Sequence, residues 1–179
     1  MLSTQDTVLV VIDIQEKLVK AMKDQELLIQ NVQKMIQGAQ VLEIPIIALE
    51  QYPEGIGATV PEITALVPDW SAISKNCFNC GASEEFINTL TAYNRKQVLL
   101  VGIEAHICVY QTALDLKQRG YDVEVVIDAI SSRTELNLEL AIDKLSNKGI
   151  GVTSVEMSLF ELLGKAEGEQ FKKILKIIK

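Results

Sequence analysis

A chain of 179 residues, 48% hydrophobic and 23% charged, has the length and composition of one globular domain spanning 1–179. At that length one core buries about 70% of the unfolded chain's surface, so neither a metal nor a disulfide staple is required. The formal net charge of −7 argues against nucleic acid as the main partner, because phosphate binding needs a basic face. No apolar run reaches the ~20 residues of a membrane span, which argues against a membrane partner. Met1-Leu2-Ser3-Thr4-Gln5-Asp6 lacks the cationic start and apolar stretch of a signal peptide. Three cysteines do not suggest a disulfide framework, and a cytoplasmic location is the expectation.

Candidate strands alternate with helical patterns from end to end. Val8–Ile12 is continuous in Val, Leu and Ile, as a strand buried on both faces should be. A helix from near Asp24 places Leu28, Val32, Met35, Ala39 and Leu42 on one face. Ile46–Leu49 follows. The segment Gln51–Trp70 holds three of the four prolines, with Gly55 and Gly57, and reads as a loop insertion. A weak strand is expected near Ala72–Ser74, and Ser83 can cap the next helix, with Phe86, Leu90 and Tyr93 on it. Strand Val98–Val101 leads to a helix from about His106 to Arg119, stopped by Gly120. After strand Val123–Ile127, Ser132 and Glu135 have capping-box spacing for a fourth helix that ends at Gly149. Ile150–Thr153 is the last strand, and Lys172–Lys179 reads as an amphipathic terminal helix with a solvated cationic side. Repeated βα units with right-handed crossovers predict an α/β, doubly wound sheet.

Ligands of such sheets bind at the carboxyl ends of the strands. The polar residues there are Asp13, Glu50, Lys75, the segment Gly102–Cys108, and Asp128. Asp13, desolvated at a strand end, should have a raised pKa unless a cation pairs with it; it could equally brace a loop. Lys75 alone is an ordinary surface residue, but as a buried cation it could hold Asp13 ionised and stabilise a thiolate or oxyanion. Cys108 stands at the expected helix start, where unpaired amides lower a thiol's pKa and can receive an oxyanion. It could also be a buried structural cysteine. Cys77 and Cys80 form a Cys-x-x-Cys pair open to a redox or zinc reading, with His106 and Cys108 as further ligands. That would take every cysteine and the single histidine. One histidine cannot supply a histidine-based metal site, and no metal or cofactor is expected. Tyr52, Trp70 and Phe78 are candidate pocket walls, or ordinary packing.

Val-Val-Ile-Asp13-Ile-Gln15, Lys75 with Phe78, and Gly102-Ile-Glu-Ala-His-Ile-Cys108-Val, in this order and spacing, resemble the signature segments of the isochorismatase-like cysteine hydrolases. Glu50-Gln51-Tyr52-Pro53 and Val126–Arg133 resemble those of the isochorismatase domain-containing subgroup. The resemblance implies a six-stranded, mainly parallel sheet in a three-layer sandwich. It also implies the trio Asp13, Lys75 and Cys108, with Gln15 near the substrate. Asp13 would take the thiol proton, Lys75 hold the charged pair, and Cys108 attack a carbonyl to give an acyl-enzyme. The amides of Glu104 and Cys108 would hold the oxyanion, with a cis peptide between Ile103 and Glu104. A homo-oligomer acting on a small-molecule substrate is implied. The nicotinamidase metal histidines have no counterpart at Glu50–Pro53, so an amide, carbamoyl or related C–N substrate is favoured over nicotinamide. The alternative, from a different class, is a catalytically idle interaction or scaffolding protein that retains the fold.

Overall fold

All six apolar runs become strands. The computed structural model describes residues 1–179 and contains β1 (Thr7–Ile12), β2 (Ile46–Gln51), β3 (Ala72–Lys75), β4 (Gln97–Ile103), β5 (Asp122–Ser131) and β6 (Gly151–Thr153). They form one sheet in the order β3-β2-β1-β4-β5-β6, with every pairing parallel. The α/β, doubly wound expectation holds. The helices are α1 (Glu16–Val19), α2 (Gln25–Val41), α3 (Pro53–Ile56), α4 (Pro61–Thr64), α5 (Glu84–Ala92), α6 (Tyr110–Gln118), α7 (Glu135–Asn147), α8 (Val155–Leu163) and α9 (Gly168–Ile178). The Gln51–Trp70 insertion thus carries α3 and α4, each opened by a proline at its first turn.

The alternation of side chains along β1 divides the core in two. Leu9 and Val11 face a cluster with Val32, Met35 and Ile36 of α2, Leu159 of α8 and Ile174 of α9. Val8, Val10 and Ile12 face the other way, onto Phe86 and Leu90 of α5, Ala113 and Leu116 of α6, and Ala141 and Leu145 of α7. Helices therefore cover both faces. No helix is long and apolar enough to cross a membrane.

Two local expectations are corrected. Thr134, not Ser132, caps α7: its hydroxyl accepts from the Asn137 amide at 3.3 Å, while the Ser132 hydroxyl lies 2.9 Å from His106 Nδ1. The helix expected from His106 opens as a π-helical turn, Ala105–Val109, before α6 begins. Single π turns of this kind recur at functional sites. Ser83 does cap α5, accepting from the Phe86 amide at 3.4 Å.

Candidate active site

The winding direction reverses between β1 and β4, and ligands of such sheets sit at that switch point. Asp13 leaves the end of β1 and Cys108 follows β4. The two strands run in register from Thr7↔Gln97 to Ile12↔Gly102. Glycine is required at that last position: a Cβ on Gly102 would lie 2.0 Å from the Ile12 carbonyl oxygen, and φ is +122°. The close approach draws the Asp13 and Cys108 segments together. Asp13 itself has a positive φ of 55°, and its amide donates to Leu49 O at 3.1 Å.

Three of the expected residues converge. The Lys75 Nζ is 2.8 Å from Asp13 Oδ2 and 4.0 Å from Cys108 Sγ. Asp13 is 0%, Lys75 3% and Cys108 6% exposed. Two further oxygens meet the ammonium: Gln51 Oε1 at 2.8 Å and Cys77 O at 3.2 Å. An ammonium has three N–H bonds, so three oxygen acceptors within 3.2 Å saturate it. Of the two expected duties of Lys75, holding Asp13 ionised has its ion pair here, while the Cys108 sulfur lies at the outer limit of contact with the ammonium. Asp13 Oδ1, by contrast, is buried without a hydrogen-bond partner.

Burial is the largest influence on the Asp13 carboxyl and raises it, with the Lys75 ammonium pulling the other way. For Lys75, burial opposes the charge most strongly. The Cys80, Asp13 and Cys108 groups outweigh it, so the ammonium is held more firmly than usual. Cys108 departs from expectation. A thiol at a helix start was expected to be acidified, yet burial, and then the Asp13 carboxylate, push it well up despite Lys75. Both influences favour the neutral thiol over the thiolate. Cys80, fully buried, is pushed up to about 12, chiefly by burial.

The Ile103–Glu104 peptide is cis, as the resemblance implied. The Glu104 amide donates to no acceptor in the chain, although its carbonyl accepts from the Ile107 and Val109 amides at 3.0 and 3.2 Å. The Glu104 carboxylate is tied to Arg133 Nε at 2.9 Å.

The pocket candidates scatter. Gln15 is 0% exposed and its side-chain amide is fully engaged. Nε2 donates to Gln51 O at 3.0 Å and Gly57 O at 2.6 Å, and Oε1 accepts from Gln51 N at 2.7 Å. Through these bonds it braces the end of β2 that carries Gln51. Tyr52 and Phe78 are 52% and 56% exposed on the segments that follow β2 and β3. Trp70 packs against the α2-side core with Leu66 and Val67, apart from the trio. Glu50, at the end of β2, accepts from the amide and hydroxyl of Thr59, both at 2.7 Å. Asp128 lies within β5 and accepts from the Val155 amide. No group of three or more His, Cys, Asp or Glu side chains is disposed to hold a metal, and Cys77, Cys80 and Cys108 are all free thiols. The sequence reading overlooked Gln51. Its signal was register: Gln51 and Lys75 are paired neighbours on β2 and β3, so their side chains emerge on the same face.

The family model described as the isochorismatase domain matches residues 7–157. The secreted isochorismatase effector Isc1 of Phytophthora sojae is 38% identical over 177 residues, covering 97% of this chain and 84% of that protein. Isochorismatase domain-containing protein 2 of Xenopus laevis is 36% identical, with 99% and 85% covered. The structure of MAR1 ribonuclease from Caenorhabditis elegans superposes with a TM-score of 0.92 at 35% identity, covering 99% of this chain and 91% of that one. The YcaC gene product of Escherichia coli, an octameric hydrolase of unknown specificity, gives 0.93 at 25% identity, with 99% and 88% covered.

Proposed function

The chain belongs to the isochorismatase family, and from that premise we propose that it is a cysteine-dependent hydrolase of a small amide, carbamoyl or related carbonyl compound. One observation carries the reading: a buried Asp13–Lys75 pair, with one carboxylate oxygen left unpartnered, beside a buried Cys108. A carboxylate in that setting is a general base with a task. In the proposed reaction Asp13 Oδ1 takes the proton from Cys108 Sγ, and sulfur bonds to the substrate carbonyl carbon. The resulting oxyanion is received by the amides of Glu104 and Cys108, the first of which has no acceptor of its own. The proton passes from Asp13 to the leaving nitrogen as the C–N bond breaks. Water, deprotonated by Asp13, then cleaves the acyl-sulfur bond and regenerates the thiol. Throughout, Lys75 holds the negative charge of the site without donating to the substrate.

Tyr52 and Phe78, exposed beside the strand ends, are the proposed walls of the substrate approach. The octameric YcaC structure supports a homo-oligomer here. A cytoplasmic location is part of the proposal, while the Phytophthora sojae relative is named as secreted. The net charge of −7 speaks against RNA as substrate, although a similar structure carries the name ribonuclease.

The test is a screen of small amides, hydrazides and carbamoyl compounds, with RNA included, using native protein and Cys108→Ala. Release of amine or ammonia by native protein, its loss in the variant, and an acyl adduct on Cys108 by mass spectrometry are expected. Full turnover by Cys108→Ala would overturn the assignment, and RNA cleavage without amide turnover would replace it.

A further inference from the structure

Gln51 lies outside the trio, yet it provides one of the three oxygens on Lys75. We infer that Gln51 is a positioning residue that holds the Lys75 ammonium off the Cys108 sulfur, and that Gln15 locks Gln51 in place for this purpose. The inference rests on the proposed role of Cys108 and Asp13 and adds to it how the resting thiol is kept neutral.

The geometry is specific. Two of the ammonium's three hydrogens have fixed owners, Asp13 Oδ2 and the backbone carbonyl of Cys77. The third has two possible acceptors, Gln51 Oε1 at 2.8 Å and Cys108 Sγ at 4.0 Å. A neutral amide oxygen at 2.8 Å is in full hydrogen-bond contact, whereas 4.0 Å to sulfur is the outer limit of one. Gln51 therefore takes the hydrogen that would otherwise stabilise a thiolate. Its own backbone is fixed at both polar atoms by one buried side chain, since Gln15 accepts from Gln51 N and donates to Gln51 O. The remaining Gln15 hydrogen goes to Gly57 O in the insertion after β2. The Gln15 backbone amide donates to Asp13 O at 2.8 Å, but its side chain bonds only to Gln51 and Gly57, so what Gln15→Met removes acts first on Gln51.

The consequence is chemical. A thiol directly paired with Lys75 would ionise readily and rest as a thiolate open to stray electrophiles. Holding the ammonium away keeps the proton on sulfur until a substrate engages Asp13. The charged or titratable groups that bear on this balance are Asp13, Glu50, Lys75, Cys80 and Cys108. Gln51 packs among them and does not titrate.

The experiment measures the pH midpoint of iodoacetamide alkylation at Cys108, by peptide mass spectrometry on the whole folded chain. Its variants are Gln51→Met, Gln51→Glu and Gln15→Met, with Asp13→Asn as reference. Gln51→Met frees the third hydrogen for sulfur, and the midpoint should fall by about one pH unit. Gln15→Met should move it in the same direction by less. Gln51→Glu keeps an acceptor and adds a negative charge, so its midpoint should rise by about one unit or more. A merely structural Gln51 would lower the melting temperature and leave the midpoint in place. Midpoints of Gln51→Met and Gln15→Met at the native value, or a fall in Gln51→Glu, would overturn the inference. Should Gln51→Met fail to fold by circular dichroism, the direction in Gln51→Glu decides. An unmoved midpoint in Asp13→Asn would instead refute the coupling of Asp13 to Cys108, on which the proposed chemistry stands.

Discussion

Asp13→Asn keeps the shape of the side chain while removing its charge and its basicity, and the structure assigns opposite consequences to the two losses. The Cys108 thiol is raised first by burial and next by the Asp13 carboxylate, with Lys75 opposing both. Without the carboxylate, burial remains and Lys75 acts unopposed by a neighbouring anion, so the thiol becomes more acidic. A charge at such close range typically moves a pKa by about 1–3 units, or about 1.4–4 kcal/mol between protonation states. Alkylation of Cys108 should therefore begin at lower pH than in native protein. Hydrolysis should move the other way. With no base to carry the thiol proton to the leaving nitrogen, turnover should fall by about 10²–10⁴-fold. Folding should suffer less than the ~3–5 kcal/mol of a bared buried charge, because Gln51 Oε1 and Cys77 O remain on Lys75 and the asparagine oxygen can still accept. The assay pairs the alkylation midpoint with turnover of the best amide from the screen, and with urea unfolding as a check. A faster thiol together with a dead hydrolase is the signature. A raised midpoint would refute the electrostatic reading, and turnover within a few fold of native would refute the role of Asp13 as base.

How much of this was legible beforehand depended on the kind of interaction involved. The strands were readable because burial on both faces imposes a local signature, an unbroken run such as Val8–Ile12, which needs no knowledge of the partner strand. Asp13, Lys75 and Cys108 could be nominated because each follows a strand, and parallel strands deliver their ends to one edge. The direction of the Cys108 shift was not readable. It depends on a competition among burial, a carboxylate and an ammonium whose distances exist only after folding. Helix-start reasoning took account of the amides and missed the desolvation. Gln51, and the bracing part of Gln15 as distinct from its nomination near the substrate, were hidden for a different reason. A neutral amide has no pattern of its own, and its part is set by register between strands and by the path of the insertion that follows β2. The exchange of Ser132 for Thr134 as the α7 cap has the same origin. Both residues can cap, and Ser132 was already engaged by His106, 26 residues away.

Replacing Lys75 by methionine removes the charge and the hydrogen bond that most restrain the Asp13 carboxyl, leaving only the weaker hold of the Cys108 thiol, so its pKa should climb further above the ordinary 3.8. A carboxyl raised in the folded state favours folding while protonated. Its contribution is complete below the unfolded value and lost as pH rises towards the folded one. Urea-unfolding free energies of Lys75→Met should therefore fall relative to native protein from about pH 4 upward; a difference independent of pH between 3 and 8 would contradict the assigned pairing. The last prediction concerns the strand contact that brings the site together. In Gly102→Ala the new methyl would meet the Ile12 carbonyl oxygen at 2.0 Å, and the φ of +122° is foreign to L residues. Backbone cannot step aside as a flexible side chain does, so the cost should exceed about 4 kcal/mol. Gly120→Ala is the matched comparison, since its φ is +85° but nothing lies within 4 Å of the added carbon; conformational strain of about 1–2 kcal/mol is all that should appear. If Gly102→Ala folds, relief of the clash must part β1 from β4 just where Asp13 and Cys108 leave them. The alkylation midpoint of Cys108 should then fall as the carboxylate recedes, while that of Gly120→Ala stays native. Equal stability losses with unmoved midpoints in both would show that the approach of Gly102 to Ile12 does not set the separation of base and thiol.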